Sequence, residues 1–127
     1  MQVYALVVGK GGPRFKESAP DASFVGNHGV HGRNQTIKTA KFTMEMLADD
    51  LAGYFGVNRP VVDKTGLTGA YDFKFEATPE FRINANAERG DVSVFTAVQE
   101  QLGLKLQSQK APIEILVVDR LNKPTAN

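Results

Sequence analysis

His28 and His31 are the only histidines in the sequence, three residues apart in Asn27-His28-Gly29-Val30-His31-Gly32-Arg33. Two imidazoles at short spacing could begin a transition-metal site that a neighbouring carboxylate completes. Nothing in the sequence fixes a third ligand, and the flanking glycines leave the geometry loose, so the expectation is a solvated loop without metal. Asp63-Lys64-Thr65-Gly66 brings an acid, a base and a hydroxyl together. Adjacent residues on extended chain point to opposite faces, so these groups need not converge. Turn chemistry explains the same residues, with Asp63 bonding backbone N–H groups and Gly66 and Gly69 supplying permissive φ. Gly9-Lys10-Gly11-Gly12-Pro13 follows a strand as a phosphate loop would. However, Pro13 removes a donor, no helical pattern follows, and the Lys lacks a following Ser or Thr. No serine sits in a nucleophile elbow, and Asp49-Asp50 reads as a solvated helix face rather than a buried dyad. The residues therefore predict no catalytic centre, no cofactor and no metal.

The bulk numbers agree with an ordinary globular chain. Its 127 residues fit one α+β domain over 1–127, and 42% hydrophobic with 23% charged residues lies in the usual range. Fifteen basic and fourteen acidic residues are interspersed and leave a formal charge of +1. That balance argues against nucleic acid as a partner and gives no reason to sit on an anionic membrane. There are no cysteines, which removes disulfides and thiolate chemistry. The opening run Met1 to Val8 lacks a basic flank and is too short for a membrane span, so neither a signal peptide nor membrane insertion is expected.

The elements that must position any site follow from hydrophobic periodicity. Val3 to Val8 reads as a buried strand, and residues 9–33 as a long Gly/Pro/Ser/Asn-rich loop. Gln35 to Phe42 is a half-polar strand. Thr43 caps a helix carrying Met44, Leu47, Leu51 and Phe55 on one stripe, ended by Gly56. An extended segment begins at Pro60. Tyr71, Phe73 and Phe75 alternate toward the core. Residues 78–91 read as a second loop, after which Asp91 or Ser93 caps a helix with Val94, Phe95, Val98 and Leu102 inward and Gly103 as its stop. Leu104 to Ser108 alternates, Ala111-Pro112 turns, Ile113 to Asp119 is the strongest strand signal, and 121–127 is a polar tail. The two halves echo each other, which suggests a small mixed or antiparallel sheet of βαββαβ type with both helices on one face.

Two stretches are distinctive. One runs from Gly56-Val57-Asn58-Arg59-Pro60 through Asp63-Lys64-Thr65-Gly66 to Tyr71-Asp72-Phe73. The other runs from Phe95-Thr96-Ala97-Val98-Gln99-Glu100-Gln101-Leu102-Gly103 through Lys110-Ala111-Pro112 to Val118-Asp119. Both resemble the DUF3738 family, soil-associated uncharacterised bacterial proteins abundant in acidobacteria. The resemblance covers nearly all of this chain but only the C-terminal half of a typical member. It implies no defined catalytic residues, and relatives that look exported. The strand–helix–strand pattern is also similar to the N-terminal domains of secretins and TonB receptors (STN-like), which are interaction modules of the bacterial envelope.

Two functions are carried forward. The first is a non-enzymatic interaction domain for an unknown protein partner or for self-association, as a homodimer, through a sheet edge or open face. The second is a small-molecule binding protein or enzyme with a cleft under the 9–33 loop, lined by Tyr4, Phe15 and Phe24, with Arg14, Arg33, His28 or His31 orienting the ligand.

Overall fold

The computed structural model of the chain describes residues 2–110. Its elements are β1 (Gln2–Val8), β2 (Lys16–Glu17), β3 (Val25–His31), β4 (Asn34–Thr43), α1 (Met44–Ala52), β5 (Val61–Asp63), β6 (Ala70–Ala77), α2 (Glu80–Asn86), α3 (Val94–Ala97), a π-helical turn over Val98–Leu102, and β7 (Leu104–Lys110). The α+β class read from the sequence holds. The strands divide between two sheets, a partition the periodicity did not carry. Three strands lie in the order β5-β1-β7 and four in the order β2-β6-β4-β3.

In the three-stranded sheet, β1 runs parallel to β5 and antiparallel to β7. Leu6 faces the core beside Leu104 and Leu106, while Val3 and Ala5 are buried on the opposite face of the strand. The four-stranded sheet is antiparallel throughout. A bulge between Thr39 and Phe42 inserts the residue that keeps Phe42 on the buried side; at it, Lys41 takes a left-handed φ of 59°. The N–H of Lys41 is then satisfied by the Ser18 hydroxyl at 2.8 Å.

One hydrophobic core joins the layers. Met44, Leu47 and Leu51 of α1, Val94, Ala97, Val98 and Leu102 of α3 and the π-turn, and Ile37, Phe73 and Phe75 of the larger sheet all belong to it. Helix α1 lies against β4 and β5, and α3 with the π-turn lies against β6 and β7. Thr43 caps α1 as read, its hydroxyl accepting from Met46 N–H at 3.2 Å. Ser93 caps α3, and Gly103 closes the π-turn at φ 69°.

Three boundaries differ from the sequence reading. Residues 9–33 are not one long loop, because β2 and β3 form within them. Segment 25–31 has almost no apolar alternation, yet an edge strand needs only backbone partners, which β4 supplies. The 78–91 loop contains α2, invisible to periodicity because none of its residues is buried. Helix α1 ends at Ala52 with Gly53 as C-cap; Gly56 is left-handed as expected but follows a further turn that buries Phe55. The expected turn at 111–112, the strand 113–119 and the tail 121–127 lie outside the described residues.

Candidate functional site

Hairpin β3–β4 sets the geometry of the surface. Its two-residue turn, Gly32-Arg33, has positive φ only at Gly32, the pattern of a type II′ turn. His31 and Asn34 are then the hydrogen-bonded closing pair. Alternation makes Gly29–Thr36, Asn27–Lys38 and Val25–Ala40 the other bonded pairs. The backbones of Gly26, His28 and Val30 consequently point away from β4, toward the open edge of the sheet. Outside the ladder, no backbone hydrogen bond reaches these three among the described residues.

The same alternation separates the two histidines. His28 projects to the α1 side, its Nε2 at 3.0 Å from the Asp50 carboxylate and its ring edge-on to Tyr54 at 4.6 Å. The Tyr54 hydroxyl donates to the Gly29 carbonyl at 2.6 Å. His31 projects to the outer face, with Nδ1 at 3.0 Å from Glu76 Oε2. Three-residue spacing on a strand places the rings on opposite faces, so they share no ligand. No group of three or more His, Asp or Glu side chains suited to a metal occurs among the described residues.

Arg33 is committed to structure. It grips Asp91 at 2.8 and 3.0 Å, reaches Glu88 at 3.2 Å and donates to the Asn86 carbonyl at 2.7 Å. The Arg33–Asp91 hydrogen bond holds the Asp91 carboxyl below the usual carboxylate range and raises the Arg33 pKa. The three aromatics of the cleft reading are anchored at three separate places. Tyr4 meets Phe95 edge-on at 5.1 Å under the Arg59 guanidinium. Phe15 packs on Tyr71 and Phe73 at 5.1 and 5.6 Å. Phe24 stacks on Phe42 at 6.0 Å and remains 57% exposed. Arg14 serves the π-turn, its backbone N–H bonding the Leu102 carbonyl and its guanidinium the Glu100 carbonyl. Asp63 and Thr65 do what their types suggest in a turn: Asp63 Oδ1 accepts from the Thr65 N–H and hydroxyl, at 2.9 and 2.7 Å.

A feature that sequence reasoning missed lies along β6. Its outer edge is covered piecemeal: the Ser18 N–H bonds Ala70, Lys16 pairs with Asp72, and Val92 exchanges bonds with Thr78. At Glu76 none of the described strands is present, and the Gln101 side chain stands in for one. Its amide oxygen accepts from the Glu76 N–H at 2.9 Å, and its NH2 donates to the Glu76 carbonyl at 2.8 Å. On the outer face, Lys38 lies directly across from Lys74. A hollow of about 530 Å³ opens there, with Asn34, Thr36 and Glu76 beside the two lysines and Gln101. Asn34 and then His31, against burial, hold Glu76 below the usual carboxylate range.

The fold and surface define a small two-sheet α+β domain in which, among the described residues, β3 is an edge strand with its outer side unpaired and a hollow bordered by two lysines opens on the outer face of the same sheet. A family model described as a protein of unknown function, DUF3738, matches residues 1–121. The chain belongs to the DUF3738 family. No curated protein and no solved structure matches it. Among the described residues, no helix is long and apolar enough to cross a membrane.

Proposed function

We propose that the chain is a non-enzymatic binding domain that takes an extended segment of a protein partner, or of a second copy, as a fifth strand beside β3. The observation that carries this reading is the unguarded edge. Sheet proteins blunt exposed edges with charge, proline, bulges or brevity. Strand β3 runs seven residues, Val-Gly-Asn-His-Gly-Val-His, with no Lys, Arg, Asp, Glu or Pro. By contrast β2, at the other edge of that sheet, is two residues long and both are charged. Val30, 68% exposed, and Phe24 flank the β3 edge and offer apolar contact to side chains of an added strand.

The similarity in pattern to secretin and TonB N-terminal domains supports a protein partner in the bacterial envelope. The resemblance to soil-associated, acidobacterial relatives that look exported supports the same compartment, with this chain corresponding to the C-terminal half of such proteins. A homodimer formed by pairing β3 with its own copy fits the edge equally, since antiparallel pairing centred on His28 sets Val30 against the side-chain-free Gly26 of the other copy.

Selection of phage-displayed random peptides on the full chain, followed by amide NMR of the hits, tests the reading. The expected result is that hits perturb Gly26, His28 and Val30 most strongly, and that Val30→Lys abolishes binding while leaving the thermal midpoint in place. Light scattering across a concentration series reads the self-pairing form in the same two proteins. Hits that map away from β3 and ignore Val30→Lys, in a chain that stays monomeric, would sink it.

A further inference from the structure

The outer face of the four-stranded sheet carries a charge arrangement that strand addition at β3 does not use. Because the Glu76 backbone bonds outward to Gln101, alternation turns the Lys74 backbone outward as well. Lys38 and Lys74 are therefore a non-hydrogen-bonded cross-strand pair, the register in which side chains approach most closely. Like charges in that position oppose folding. Neither lysine has an ion-pair partner among the described residues. The nearest carboxylates on that face, Asp72 and Glu76, flank Lys74 along β6, but both are engaged: Asp72 accepts from the Ser18 hydroxyl, and Glu76 is held by Asn34 and His31.

Between the Lys16–Asp72 pair and the Gln101 bridge, the outward N–H and C=O of Lys74 have no partner among the described residues. A second open hollow of about 500 Å³, lined by Arg14, Lys16, Lys74 and Gln101 among others, adjoins this gap. The two hollows share Lys74 and Gln101. Two ammonium groups and the Thr36 hydroxyl thus border, with the Glu76 carboxylate, a space large enough for a small metabolite, and the unused Lys74 N–H lies beyond it on the outer edge of β6.

We propose that this face binds a small molecule bearing a doubly charged oxyanion, seated between Lys38 and Lys74. The anion removes the cross-strand repulsion, so binding and stability are coupled at this pair. Lys38 and Lys74 each supply a side-chain charge to the anion.

The test is titration of the full chain with inorganic phosphate near neutral pH, with ionic strength held constant by sodium chloride. Amide NMR and the thermal midpoint are both followed. Saturable shifts centred on Lys38, Lys74 and Gln101 are expected, with a rise in midpoint that chloride does not reproduce. Lys38→Gln and Lys74→Gln should each weaken phosphate by about tenfold, equivalent to about 1.4 kcal/mol. Lys74→Glu should abolish the response and also raise the basal midpoint, because Lys38 then faces an opposite charge. A parallel titration with succinate separates the two sources of the anion: competition at the same amides assigns a dicarboxylate, and silence assigns a phosphate ester. A response that never saturates, that chloride matches, that survives Lys74→Glu, or that centres on amides away from Lys38, Lys74 and Gln101 overturns the proposal. None of these readouts involves β3, so failure here leaves the strand-addition reading standing, and the reverse also holds.

Discussion

Arg33 and Asp91 form a two-pronged ion pair across 58 residues of sequence, Nε to Oδ1 at 2.8 Å and Nη2 to Oδ2 at 3.0 Å. The pair ties the tip of the β3–β4 hairpin to the segment that leads into α3. Because the folded Asp91 pKa is depressed, its contribution is present above the unfolded carboxylate range near pH ~4 and is lost as pH falls through the folded value. Arg33→Gln is expected to lower the thermal midpoint near neutral pH and to reduce the acid-induced loss of stability. A double-mutant cycle with Asp91→Asn should return a clear coupling energy at pH 7 that shrinks in acid. Additive single effects at pH 7 would contradict a specific pair.

Glu80 titrates in the opposite sense. Burial pushes its carboxyl above the usual range, the Val94 N–H draws it partly back, and Oε2 is buried without a partner among the described residues. With the folded pKa above the unfolded one, stability falls as pH rises between the two values and stays reduced beyond them. Glu80→Gln keeps an acceptor for Val94 and removes the charge. Urea melts should show the variant gaining on the wild type at neutral pH and losing that advantage at pH 3.

Gly103 and Gly11 lie near one another and should respond very differently to alanine. Gly103 has φ 69°, and a Cβ there would run into the Gly12 carbonyl oxygen, whereas Gly11 has open space around its Cα. The left-handed penalty alone is ~1–2 kcal/mol, and the clash adds to it. Gly103→Ala is expected to cost at least about 2 kcal/mol. Gly11→Ala should stay within about 0.5 kcal/mol of the parent by chemical denaturation.

Gln101→Ala removes the stand-in strand from β6 and leaves the Glu76 N–H and C=O to water. The expected cost is about 1–2 kcal/mol. Hydrogen exchange at the Glu76 amide should accelerate well beyond that at Phe75, whose N–H faces β4. Equal acceleration at both positions would mean the whole strand loosens and that the side-chain bridge is not the local cause.

Much of this architecture was legible because it depends on local alternation and capping. The β1 run, the Thr43 and Ser93 caps, the Gly103 stop and the Tyr71-Phe73-Phe75 face are each set by residues within one turn or one strand. Helix α2 and strand β3 escaped because neither buries an apolar stripe. One has no fully buried residue behind Pro79, and the other is held by backbone bonds to β4. The seven residues singled out as contacts were reasonable by type, yet their neighbours could not be foreseen. Arg33 found Asp91, His28 found Asp50 and His31 found Glu76, from distances of 58, 22 and 45 residues.

By itself, the sequence determined the α+β class, the family and most helix and strand positions, since period and caps act over a few residues. Only the tertiary structure decided that the strands form two sheets, that β3 is an edge strand among the described residues, that the histidines part to opposite faces and that Lys38 meets Lys74. Those outcomes rest on strand order and register, which arise when distant segments pair and which no short stretch of residues encodes.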